Sequence, residues 1–190
     1  MPRSLVLAAL LCLPASLAAQ SDSMPTPRAT DTAYLFRPGQ WAVRFDVADG
    51  FYGGGALLFT STKAAWMVNA EIVYSSTDTD EVTGYAIKDE DYTLSIGRRW
   101  YGTPRGRVRS ISGVGVFGNY RHIGYGDGYV PYKDYAAGMY GEFGATVFLA
   151  PELSLGATWH AELAAGRDYN DSPTISVNGG QIRLEGAFYF

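Results

Sequence analysis

The chain has 190 residues, of which 47% are hydrophobic and 18% charged, and a formal net charge of −4 at pH 7. That acidic balance excludes the basic footprint expected of a nucleic-acid binder or a polybasic membrane-surface module. One cysteine cannot make an internal disulfide frame, and the length suits a single domain.

Residues 1–19 read as an export signal. Arg3 supplies a positive start, Leu5 to Leu13 is an apolar run, and Ala15-Ser16-Leu17-Ala18-Ala19 offers small residues for cleavage. The run is nine residues long, too short to span a bilayer as a helix. Cys12 lies within it behind Leu11, where a lipoprotein signal wants a small residue, so no lipid anchor is expected. Without Arg3 the remainder carries 14 basic and 19 acidic side chains, a charge of −5. Residues 20–38 are polar and contain Pro25, Pro27 and Pro38, which predicts a flexible periplasmic leader.

From residue 39 to 190 apolar and polar residues alternate with the period of a half-buried strand. The first two predicted strands are Trp41–Ala48 and Gly55–Ser61, with Gly53-Gly54-Gly55 read as a hairpin signal. The third sets Trp66, Val68, Ala70, Ile72 and Tyr74 against Met67, Asn69, Glu71, Val73 and Ser75. Tyr92–Tyr101 and Val108–His122 follow. The sixth sets Met139, Phe143, Val147 and Leu149 against Tyr140, Glu142, Thr146 and Phe148; the seventh sets Leu155, Trp159 and Leu163 against Ser154, Thr158, His160 and Glu162. The eighth sets Ile182, Leu184, Phe188 and Phe190 against Gln181, Arg183, Glu185, Ala187 and Tyr189.

Connections alternate in length. Thr62-Lys63-Ala64, Gly102–Gly106 and Ala150-Pro151-Glu152 are tight; Ser76–Asp91, Ile123–Lys133 and Ala165–Gly179 are long, with a shorter Asp49–Gly54. Short turns on one rim and long loops on the other organise transmembrane barrels, with the short side in the periplasm. The fold class expected is therefore all-β: an eight-stranded antiparallel up-and-down transmembrane β-barrel.

A soluble barrel also alternates, and Gly39-Gln40-Trp41 matches the lipocalin first strand superficially. Three features favour the membrane. Lys63, Lys88 and Lys133, all the lysines of the chain, fall in predicted turns or loops, whereas a wet outer face normally needs many charges. Aromatics collect at strand ends, with Trp41, Trp66, Trp100 and Tyr101 at one rim and Tyr74, Tyr92, Tyr120 and Tyr135 at the other. Arg98 faces outward near the first group, close enough to snorkel. The strand ending on Phe190 is expected to pair with the first, leaving no edge.

From Trp41 to Phe190 the chain resembles the small outer-membrane barrels of the OmpA/OmpX-type superfamily. The ending Arg183-Leu184-Glu185-Gly186-Ala187-Phe188-Tyr189-Phe190 is similar to the C-terminal β-signal, with apolar residues at alternate positions before a terminal Phe; Gly186 departs from that pattern. The resemblance implies the bacterial outer membrane, with its lipid and lipopolysaccharide as partners, and the barrel-assembly machinery during biogenesis.

The inward faces would receive Arg44, Asp46, Glu71, Arg99, Arg109, Arg121, Glu142, Glu162, Arg183 and Glu185, with His160 beside them: five arginines and five carboxylates. Buried charge is tolerable when paired. Glu142, His160 and Arg183 are expected about level on consecutive strands. Two readings of this set stay open, a structural network filling the lumen and a gate whose pairs rearrange for a small solute or ion. A third class, the lipid-modifying enzyme, wants a His and a Ser two apart on one strand. Here His122 is followed at that spacing by Gly124 and His160 by Glu162. No cofactor or metal motif is present. Asp78, Asp80, Glu81, Asp89, Glu90 and Asp91 form an acidic loop that could bridge divalent ions to lipopolysaccharide. Tyr125, Tyr129 and Tyr132 give the next long loop a composition suited to surface contact.

Overall fold

The structure is a computed structural model that describes residues 35–48, 51–77, 87–125, 132–167 and 172–190. The alternation becomes eight strands: β1 (Trp41–Ala48), β2 (Phe51–Ser61), β3 (Ala64–Thr77), β4 (Ile87–Tyr101), β5 (Val108–Tyr125), β6 (Tyr132–Ala150), β7 (Leu153–Arg167) and β8 (Pro173–Tyr189). Each pairs antiparallel with its sequence neighbours, and β1 pairs with β8 to close the barrel. Phe190 NH donates to Trp41 O at 2.9 Å, so the closing seam runs to the last residue.

The strands are staggered. A path of register partners leaves Val47 through Tyr52, Ile72, Tyr92, Tyr120, Tyr135 and Arg167 and reaches β8 at Pro173. Val47 itself pairs with Leu184, far down the same strand. Such a shear forces the strands to tilt by roughly 35–45° from the barrel axis.

Which face is which is settled by burial. Leu155, Phe143 and Leu184 point outward and are 51%, 53% and 61% exposed, whereas Arg44 and Arg99 point inward and are 2% and 0% exposed. The outside is oily and the inside charged, the reverse of a lipocalin, and the soluble alternative fails on that ground. Among the described residues no helix is long and apolar enough to cross a membrane. A closed barrel needs none, because every backbone group in its wall is paired between strands.

Aromatic side chains ring both ends of the apolar belt. Trp41, Trp66 and Trp100 face outward at the short-turn rim, and the Arg98 guanidinium lies 5.2 Å over the Trp66 ring while donating to the Thr60 hydroxyl at 2.6 Å. Tyr101 departs from the expected girdle: it turns into the lumen and is 3% exposed. The other rim carries Tyr74, Tyr92, Tyr120 and Tyr135, with the last three in ring-to-ring contact at 6.4 Å and 5.3 Å.

The strands outrun their predicted ends on the long-loop side. β4 begins at Ile87, β6 at Tyr132 and β8 at Pro173, so Asp89, Glu90 and Asp91 lie in a strand rather than a loop. Alternation marks a strand only where one face meets lipid; Lys88–Asp91 of β4 and Lys133-Asp134 of β6 are polar on both faces, yet the ladder continues. The expected loop Asp49–Gly54 is likewise mostly strand, since Ala48 already pairs with Phe51. Gly53 and Gly55 serve close approach, not a turn. A Cβ on Gly53 would stand 2.9 Å from Asp46 Oδ2, and one on Gly55 would strike Val68 O and Asn69. On β8, Gly180 sits at φ +92° in a bulge opposite His160 and Ala161. The extra residue switches the parity there, so that Val177 and Ile175 above it face outward like Ile182 and Leu184 below.

Candidate functional site

The lumen is filled in layers, beginning at the short-turn mouth with a plug of rings. Phe36, from the segment expected to be a flexible leader, is 3% exposed inside the barrel. Its ring stacks on Phe59 at 3.9 Å and meets Tyr101, Tyr189 and Phe148 at 4.7, 5.3 and 5.9 Å. A tight turn sets it there: Gln40 NH donates to Arg37 O, Gly39 adopts φ +83°, and Gly39 NH donates to Phe59 O at 2.8 Å. Leu35–Pro38, expected to belong to a flexible leader, are thus tied to the barrel mouth; residues 1–34, with the predicted signal and the rest of the expected leader, lie outside the described residues. Arg109 belongs to this layer. Its guanidinium lies 4.4 Å over the Phe36 ring and donates to Gly102 O and Thr62 O, both at 3.0 Å.

Above the rings lies the first charged layer. Arg99 forks onto Glu142, with Nε to Oε1 and Nη2 to Oε2 both at 2.7 Å, and its Nη1 reaches both oxygens of Glu185 at 2.9 Å. Arg44 binds Asp46 through Nε at 2.7 Å and Nη2 at 2.6 Å, and stands 3.5 Å from Glu185. Planar guanidinium suits such two-point pairing of buried carboxylates better than ammonium does.

The second charged layer centres on Arg183, which donates to Glu71, to Gln181 Oε1 at 3.0 Å and to Glu162 Oε1 at 3.4 Å. His160 Nε2 lies 3.0 Å from Glu162 Oε1, and its ring stacks on Tyr140 at 5.0 Å. Asn69 joins the layers by donating through Nδ2 to Asp46 Oδ2 and Glu71 Oε1, each at 2.9 Å.

All eight residues singled out for the lumen (Arg44, Glu71, Arg99, Glu142, His160, Glu162, Arg183 and Glu185) do face it. Glu142 and His160 are direct cross-strand partners and Arg183 lies two residues beyond Gln181, the partner of His160, close to the level expected, but their bonding divides them. Glu142 bonds Arg99, whereas His160 and Arg183 meet through Glu162. The balance differs from the expectation, because Arg109 sits among the rings and Arg121 pairs with Asp89 near the opposite rim at 2.9 and 2.5 Å. Three guanidiniums thus face five carboxylates in the central network. Asn69 and His160 supply polar partners to the surplus. Sequence reading missed Phe36 as a member of this interior, whereas Asn69 and Tyr140 lie on the inward faces it assigned to β3 and β6 without having been counted in the network; an aromatic residue three positions before Gly39 is the one local signal for the plug.

Beyond the second layer the lumen widens into a cavity of about 340 Å³ toward the long-loop end. Glu71, His160, Glu162 and Arg183 line its floor, and Asp91 and Asn119 its wall. Asn119 donates to Asp91 and, at 2.9 Å, to the Thr93 hydroxyl.

No protein-family model matches the chain, and no curated protein sequence does. Its shape does match solved structures. Neisserial surface protein A superposes with a TM-score of 0.54 at 12% identity, over 80% of this chain and 95% of that one. A major outer membrane protein from Thermus thermophilus superposes with a TM-score of 0.51 at 15% identity, over 80% and 98%. The N-terminal β-barrel domain of Pseudomonas aeruginosa OprF gives 0.51 at 11%, over 80% and 98%. Likeness at these identities is one of fold. With its oily belt, two aromatic girdles and closed eight-strand topology, the chain is a transmembrane β-barrel with the fold of the small OmpA/OmpX-type outer-membrane proteins.

Proposed function

We propose that the protein is a non-enzymatic integral barrel of the bacterial outer membrane with a structural or surface-contact role, and that its lumen is closed. One observation carries this reading: the interior is occupied in succession by the Phe36 ring plug and by two charge-paired layers. Eight strands leave an interior scarcely wider than its own side chains. His160 and Glu162, among the described residues the one histidine–carboxylate pair on the lumen face, bond each other inside the barrel and away from lipid. Residues 1–19 serve as the export signal on this reading. The barrel-assembly machinery inserts the chain, and membrane lipid and lipopolysaccharide surround it.

The test is conductance of the purified barrel in planar bilayers. Absent or small, flickering current is expected, and a steady large current overturns the closed lumen. A second reading, a small-solute or ion pore gated by the network, is favoured by the position of Glu185. It lies 2.9 Å from Arg99 and 3.5 Å from Arg44, so one carboxylate is shared by two guanidiniums and a change of partner needs little movement. Discrete openings that lengthen when Glu185 is replaced by Gln select the gate.

A further inference from the structure

The strand extensions above the tyrosine girdle sort their charges by face. Asp89 and Asp91 of β4 and Asp134 of β6 turn inward: Asp89 pairs with Arg121, Asp91 accepts from Asn119, and one Asp134 oxygen is buried. Lys88 of β4, His122 of β5, Lys133 of β6 and Arg167 of β7 all point away from the barrel; the lysines and Arg167 are exposed and His122 partly so. On the outer face of these extensions, among the described residues, Glu90 is the acidic exception. A hairpin wet on both sides gives no reason for such sorting. A hairpin whose outer face meets an anionic surface does.

Register brings these basic side chains together. His122 and Lys133 are direct cross-strand partners, and Arg167 is the partner of Tyr135, two residues from Lys133. Lys88 pairs with Gly124, two residues beyond His122. Direct and diagonal cross-strand neighbours lie within about 8 Å, inside the reach of long side chains. Just below them runs the stripe Tyr92–Tyr120–Tyr135, whose phenol groups mark the level of lipid headgroups. Among the described residues the one carboxylate on this outer patch, Glu90, is engaged by the Tyr92 hydroxyl at 3.3 Å and lies 3.9 Å from His122.

We propose that Lys88, His122, Lys133 and Arg167 form a docking site for the phosphate of a phosphorylated glycolipid in the outer leaflet, with the tyrosine stripe against its acyl–headgroup boundary. The site rests on the orientation used above, long-loop end outward, and is independent of whether the lumen conducts.

The full barrel in neutral detergent, titrated with diphosphorylated lipid A and read by native mass spectrometry, tests it. Lipid A stripped of its phosphates should bind more weakly, and K133E should lower affinity for the phosphorylated form by on the order of tenfold, as reversing one cation at a charged surface requires. K63E, at the opposite rim, should leave it unchanged. Folding is checked by the mobility of unheated protein on a gel, and K133Q, which removes the charge without reversing it, should show a smaller loss of the same sign. Equal binding of the phosphate-free lipid, or unchanged affinity in both Lys133 variants, overturns the site. Loss in K63E instead of K133E overturns the orientation. Displacement of the lipid by equimolar inorganic phosphate overturns the lipid as its occupant.

Discussion

Replacing Arg99 by Met tests whether the lumen network holds the barrel together. Arg99 is fully buried and makes four hydrogen bonds at 2.7–2.9 Å to two carboxylates. Met fills a similar volume but supplies no donor. Glu185 keeps Arg44 nearby at 3.5 Å, so the uncompensated charge falls mainly on Glu142, itself 5% exposed. Removing one partner of a buried pair costs about 3–5 kcal/mol, because the survivor stays desolvated and unpaired. Urea unfolding in phosphatidylcholine vesicles, followed by tryptophan fluorescence, measures the loss. The double variant R99M/E142Q removes the orphaned charge and should recover roughly 1–3 kcal/mol, the usual coupling between contacting residues. R99M within about 1 kcal/mol of the parent, or no recovery in the double variant, refutes the reasoning. Unchanged stability combined with raised conductance would transfer the network from a structural to a gating role.

Phe36→Ala should unseat the plug while leaving the strands paired. A cysteine at Ile111, inside the mouth beside Tyr101, should then react faster with a water-soluble thiol reagent, whereas an equal rate in both backgrounds removes the plug from the account. Ala157→Arg places a cation on the outward, exposed face of β7 well inside the belt, where the cost is about 2–4 kcal/mol near the midplane. Urea unfolding reads it, and a neutral outcome would show that this face does not meet lipid.

The barrel was legible because a membrane imposes the same rule on every strand of the belt: apolar out, small or paired polar in. The faces assigned to β3, β6, β7 and β8 follow from that rule, and so do the eight lumen residues. What sequence could not supply was partner choice. Arg109 and Arg121 obey the same inward parity as Arg99, but height along a tilted strand puts one among rings and the other beside Asp89. Alternation carries no information about height. Gly53 and Gly55 misled for a related reason. Their small size accommodates Asp46, Glu71 and Asn69 from neighbouring strands, a demand invisible in β2 alone. Phe36 was hidden because the run Ala33-Tyr34-Leu35-Phe36 is too short to show a period, and no periodicity announces a single anchored ring.

The assignment of inside and outside is tested most directly by site-directed labelling of β7. Cysteine replaces Leu155, Leu163, Ser154 or Thr158 in turn, in a chain whose one native cysteine, Cys12, falls in the predicted signal. Each site carries a spin label in reconstituted vesicles, and collision with dissolved oxygen or a polar nickel chelate reports its surroundings. Labels at 155 and 163 should collide with oxygen and be shielded from nickel, while those at 154 and 158 should be shielded from lipid-dissolved oxygen. The opposite pattern, with 155 and 163 meeting the nickel chelate, would contradict the fold's placement in a membrane.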